Sequence, residues 1–134
     1  VLTLPQTEDA ILVCIPNEEV LLRVQSHLSD SHSCCLVSSD PQVIRALKSR
    51  GHQRVVEFGL KDEYLILQGR FMKVIVFESE IAETCTLLKV IRNSTCAPII
   101  VAATVHGYPM RLYCTYGAKY VVYSKSSNIS CLLS

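Results

Sequence analysis

Apolar residues along this chain gather into short, nearly continuous runs rich in valine and isoleucine. Ala10–Ile15 is the first and Cys34–Val37 the second; Val74–Phe77, Ile99–Ala102 and Tyr120–Tyr123 follow. Runs that do not alternate with polar residues suit strands of a parallel sheet covered on both faces. Between the runs the apolar period lengthens to that of a helix. From Glu18 to Leu28, the side chains of Val20, Leu21, Val24 and Leu28 share one face. Asp40 supplies a cap and Pro41 a first turn to a second helix with Val43, Ile44 and Leu47, and Gly51 closes it. A third helix runs from Ile81 to Arg92 with Leu87, Leu88 and Ile91 apolar, and a weaker fourth covers Pro109 to Tyr116 and ends at Gly117. The alternation predicts a five-stranded parallel sheet, doubly wound, with right-handed crossovers. The segment from His52 to Phe71 exceeds the roughly two to six residues of an ordinary helix-to-strand connection. It has apolar groups of its own, among them Val55, Val56, Phe58, Tyr64 and Leu65. We read residues 52–71 as an ordered insertion before the third strand, an extra strand or a short helix.

The 134 residues, 49% of them hydrophobic, suit one domain spanning 1–134 with one core. The chain opens on Val1 rather than Met, as a domain excised from a longer protein would. The formal net charge is +1 and the basic residues do not cluster, which speaks against a nucleic-acid surface. No apolar run is long enough to cross a bilayer and no signal peptide opens the chain, so a cytoplasmic or nuclear setting is expected. The seven cysteines are odd in number and sit mostly within apolar runs. They read as small hydrophobes in a reducing compartment, not a disulfide framework. No C-x-x-C occurs, and the neighbours Cys34 and Cys35 point to opposite faces of a strand, which disfavours joint metal ligation. Asn93-Ser94-Thr95 and Asn128-Ile129-Ser130 match the glycosylation sequon, a coincidence in that setting.

The turn after the first run is Pro16-Asn17-Glu18. It has no glycine to let a backbone approach phosphates, and its acids repel them, which reads against a dinucleotide or nucleoside triphosphate. Glu18 and Glu19 instead suit the first turn of a helix. A hydrolase-type site would need a nucleophile and a base at the carboxyl ends of strands. His106, in Val105-His106-Gly107-Tyr108-Pro109, is placed for it, and Cys114 lies on the helix beyond. No nucleophile occupies a recognisable elbow, so an enzyme is not expected. His27, His32 and His52 read as surface residues. Tyr108, Tyr113, Tyr116, Tyr120 and Tyr123 place five of the six tyrosines around the fourth helix and fifth strand. Tyrosine joins large apolar area to a hydroxyl, so this cluster is a candidate interaction face; the other reading is that the rings cap the edge of the core.

The alternation and its local residues resemble the receiver domain of two-component response regulators, a flavodoxin-like fold. Ile11-Leu12-Val13-Cys14 followed by Asn17-Glu18-Glu19-Val20 is similar to the receiver opening, and Val37-Ser38-Ser39-Asp40 to its second strand and helix start. Ala97 to Thr104 resembles the fourth strand, and Gly117 to Lys125 the Gly-Ala turn, fifth strand and terminal lysine. The resemblance implies a phosphorylation site. At its positions this chain has Ile15 and Pro16 for the acidic pair, Glu78 for the phospho-accepting aspartate, Ala103 with Thr104 one step late for the hydroxyl residue, and Lys125 for the lysine. Neither Ile15 nor Pro16 offers the hard oxygens magnesium needs. Glu78 reads either as a solvated glutamate at a strand end or as a fixed negative charge; Lys125, if it points inward, would meet it.

The resemblance therefore implies a pseudo-receiver of a signalling protein, without phosphotransfer, metal or cofactor. Its partner would be another protein, another domain of its own chain, or a second copy docked on the fourth-helix and fifth-strand face. The other reading from the residues is a small flavodoxin-like ligand-binding or enzymatic domain that uses the crevice at the carboxyl ends of the strands, with Glu78, His106 and Lys125. A cysteine-based redox sensor is a third.

Overall fold

Five strands form where the continuous apolar runs lie, and a sixth forms inside the segment read as an insertion. The structure, a computed structural model, describes residues 10–28, 34–59, 61–67, 69–103, 110–123 and 132–133. The strands are β1 (Ala10–Cys14), β2 (Cys34–Ser38), β3 (Val55–Glu57), β4 (Phe71–Phe77), β5 (Ile99–Ala103) and β6 (Tyr120–Tyr123). The helices are α1 (Glu18–Val24), which runs on into a 3-10 turn at Gln25–His27, then α2 (Pro41–Ser49), α3 (Ile81–Ser94) and α4 (Met110–Thr115).

All neighbouring strands pair in parallel, in the order β3-β2-β1-β4-β5-β6. This corrects the expected five-stranded sheet. Receivers and flavodoxins have the order 2-1-3-4-5, whereas 3-2-1-4-5-6 is the order of the dinucleotide-binding Rossmann fold. The difference is β3, which extends the sheet beyond β2. Its backbone bonds are well formed: Leu36 N–H donates to the Arg54 carbonyl at 2.8 Å, and Phe58 N–H to the Ser38 carbonyl at 2.9 Å. After β3 the chain is tied to the end of α3. Leu65 N–H donates to Ser94 Oγ at 2.7 Å, and Asn93 Nδ2 to the Glu63 carbonyl at 3.0 Å.

Every residue of β1 is buried, as its central place requires. Alternate side chains serve opposite faces. Ile11, Val13, Ile75 and Phe77 meet Val20, Val24, Val43 and Leu47 of α1 and α2. Leu12, Cys14, Val74 and Val76 meet Leu88, Ile91 and Tyr113 of α3 and α4. Cys34 and Cys35 split between the two faces as expected, and Leu132 and Leu133 pack against the α1–α2 side. Each fully buried Val, Leu, Ile or Phe contributes about 1.5–3 kcal/mol. The helix ends follow the local residues. Asp40 Oδ1 accepts from Gln42 N–H at 2.9 Å with Pro41 in the first turn. Gly51 leaves α2 with φ of 88°, a conformation that favours glycine. Among the described residues no helix is long and apolar enough to cross a membrane.

Candidate functional site

The strand order places a switch point between β1 and β4, because the chain leaves β1 towards one edge of the sheet and β4 towards the other. Ligand crevices of open α/β sheets form at that point, outside the carboxyl ends of the strands. Here it is an open groove of about 500 Å³, a volume in the range of small-ligand sites. One wall is the start of α1, with Asn17, Glu19 and Arg23; the other is the β4–α3 turn, with Glu78, Ser79, Glu80 and Glu83. Four glutamates face one arginine, so the groove disfavours anions.

Glu78 follows β4, and its N–H extends the sheet by donating to the Ala102 carbonyl at 3.0 Å. Its side chain is only 9% exposed. It accepts a hydrogen bond at 2.5 Å from the hydroxyl of Tyr113, the buried residue of α4. Burial first, and then the bond to Glu78, push the Tyr113 phenol well above its ordinary value. The reading of Glu78 as a solvated glutamate is thereby corrected. The turn above it is also bonded internally. Ser79 N–H donates to Thr84 Oγ1 at 3.1 Å, Thr84 Oγ1 donates to the Glu80 carbonyl at 2.9 Å, and Ser79 Oγ donates to Glu83 Oε2 at 3.3 Å.

The β1–α1 turn is built differently. Ile15 is fully buried, and its N–H donates to the Val37 carbonyl at 2.8 Å. Pro16 has no N–H to offer. Asn17 Oδ1 accepts from Val20 N–H at 2.9 Å, which caps α1, and Glu18 and Glu19 fill the first helical turn. Below this turn Ile15, Val37, Ser38, Phe58, Phe77 and Leu87 close around a cavity of only about 20 Å³. That is room for about one water.

Of the residues singled out in the sequence, Ile15, Pro16 and Glu78 do meet at one edge. Ala103 is buried at the end of β5, in register with Tyr123. Thr104, His106, Tyr108 and Lys125 lie outside the described residues. The tyrosines do not form one face. Tyr113 is buried in the core, Tyr116 packs partly against it beneath Lys89, Tyr123 is partly buried, and Tyr120 is exposed. Tyr113 is therefore corrected from a surface to a core residue. No group of three His, Cys, Asp or Glu converges as a metal site among the described residues. The roles of Thr84, Phe58 and Arg23 had no signal in the sequence; the Glu78–Tyr113 contact spans 35 positions and had none either.

No family model matches the chain, and no curated protein does. Solved structures do. The NAD(P)-binding domain of an exopolyphosphatase-related protein from Archaeoglobus fulgidus is similar with a TM-score of 0.67 and 18% identity, over 93% of this chain and 95% of that one. The GsuK channel bound to NAD is similar with a TM-score of 0.64 and 19% identity, over 90% of this chain. The GsuK RCK domain gives 0.62 and 19%, also over 90%. The chain spans 22% of the channel chain and 27% of the other GsuK chain. At such identities the likeness establishes fold. Together with the strand order it overturns the resemblance to response-regulator receivers, and with it the pseudo-receiver function and the signalling-receiver assignment. The residues present do not fit the dinucleotide such folds hold. A diphosphate needs glycines in the first βα turn, free N–H groups at α1 and an acidic residue near the end of β2 for the ribose. This chain has Ile15, Pro16 and a self-capped Asn17 there, Ser38 at the end of β2 with its Oγ accepting from Asp40 N–H at 3.1 Å, the nearby Asp40 carboxylate engaged as the cap of α2, and a narrow closure beneath. The scaffold is that of NAD(P)-binding domains, and their phosphate cradle is not part of it.

Proposed function

We propose that this chain is a regulatory domain of Rossmann type that binds a small ligand in the groove at the β1–β4 switch point and does not turn it over. The observation that carries this reading is the strand order, which puts an open groove at the place where such sheets take ligands. The groove walls set the ligand's chemistry. Glu19, Glu78, Glu80 and Glu83 against Arg23 favour an amine or other cationic group over a phosphate. The same fold occurring as a minor part of the GsuK chains supports a role within a larger protein, acting on a neighbouring domain or a partner.

The test is a thermal-shift series with spermidine, putrescine and arginine methyl ester against AMP, NADH and glutamate. A ligand present at about a hundred times its Kd adds about 2.7 kcal/mol of stability. The cationic compounds should raise the melting temperature, and Glu83→Gln combined with Glu80→Gln should remove the effect. Stabilisation by NADH or AMP alone, or by none of the six, overturns the reading.

A further inference from the structure

We propose that the hydrogen bond between Glu78 and Tyr113 couples the groove to α4, so that a group bound at Glu78 and the docked state of α4 oppose one another. This rests on the reading of the groove as a ligand site. Helix α4 has six residues and buries one of them, Tyr113. Met110 and Leu112 on the same helix are 42% and 39% exposed. A helix this short does not hold itself in water, so its place depends on what Tyr113 meets. The phenol meets the carboxylate at the floor of the groove.

Thr84 completes the connection. Glu78 and Thr84 are among the few buried polar side chains; Tyr113 donates to Glu78, and the Thr84 hydroxyl acts on the same phenol. Thr84 also holds the groove wall, through Ser79 N–H and the Glu80 carbonyl. A polar cluster of Thr84, Glu78 and Tyr113 thus sits between the β4–α3 turn and α4, inside an otherwise apolar core. A buried carboxylate requires strong hydrogen-bond partners. A cationic group entering the groove competes with Tyr113 for Glu78. If it wins, α4 loses its polar anchor, and Met110 and Leu112 become free to repack beside β6 and its exposed Tyr120. Coupling of this kind is reciprocal, so loosening α4 must also loosen the groove wall.

Reciprocity gives a test that needs no ligand. Amide hydrogen exchange is followed by mass spectrometry on the intact chain and its Tyr113→Phe and Glu78→Gln variants. Phenylalanine keeps the ring and removes the hydroxyl. Tyr113→Phe should speed exchange about tenfold at residues 111–116 and also at 79–84, with β1 and β2 shifted no more than the variant's loss of global stability in urea requires. Glu78→Gln keeps an acceptor for the hydroxyl and should stay close to the parent. In the parent itself the two segments should open with the same free energy and the same denaturant slope, as one cooperative unit. A change in Tyr113→Phe confined to 111–118, or separate openings in the parent, overturns the coupling. A failed thermal-shift series with intact coupling would instead overturn the ligand reading alone.

Discussion

The two sides of the β1 end make an instructive pair. Towards β2, the carboxyl end of the sheet is closed by Ile15, Val37, Phe58 and Phe77 down to about 20 Å³. Towards α1 and the β4–α3 turn, the same sheet edge opens into about 500 Å³ lined by carboxylates. The backbone topology is common to both. Side chains alone decide that one side is filled and the other is open. A fold therefore fixes where a ligand could lie, and the local chemistry fixes whether it can.

Several substitutions would break or sharpen this contrast. The largest effect belongs to the closed side. Phe58→Ala should cost about 3–5 kcal/mol in urea unfolding, as for a large core side chain removed from a packed site. A loss below about 1 kcal/mol would mean that Phe58 does not fill the crevice. On the open side, Tyr113→Phe should cost about 1.5–3 kcal/mol, because the carboxylate of Glu78 loses a buried donor. Tyr120→Phe, at an exposed position, should change stability by less than about 0.5 kcal/mol. Equal effects of the two tyrosine substitutions would erase the distinction between core and surface tyrosines. Between the two sides sits Asn17, and Asn17→Ala should cost about 1 kcal/mol through the lost cap.

The smallest perturbation is chemical. Burial pushes the Cys14 thiol well up, and it pushes Cys35 up against the opposing pull of Arg54. Neither forms thiolate at neutral pH, whereas Cys96 and Cys114 are exposed. Of the described cysteines, iodoacetamide at pH 8 should modify Cys96 and Cys114 first, with peptide mapping as the readout. Early modification of Cys14 would show that the closed side opens readily.

Much of this was legible in the sequence, for physical reasons. Strands buried on both faces must be apolar throughout, so β1, β2, β5 and the Val74–Phe77 part of β4 stand out in the sequence, and the apolar run Tyr120–Tyr123 marks β6 although it is only partly buried. Asp40-Pro41 and Gly51 bracketed α2 because caps are local chemistry. Strand β3 did not declare itself. It has three residues, partly exposed at the sheet edge, within a long connection. Without it the order β2-β1-β4-β5-β6 is indistinguishable from 2-1-3-4-5, which is why the chain resembled a receiver. Ile15 and Pro16 stand where receivers have an acidic pair and where Rossmann domains have a glycine-rich phosphate turn, and an apolar residue with an imino acid cannot tell the two apart. Glu78 was placed correctly at a strand end. Its burial depended on Tyr113, a contact between distant segments that no local pattern encodes.

This chain has the strand order of a dinucleotide-binding domain without a glycine-rich phosphate turn. Isothermal titration of the chain with NADH is the decisive measurement. No saturable heat is expected up to millimolar NADH. Saturable one-to-one binding with a Kd below about 0.1 mM, near −5.5 kcal/mol, would contradict it.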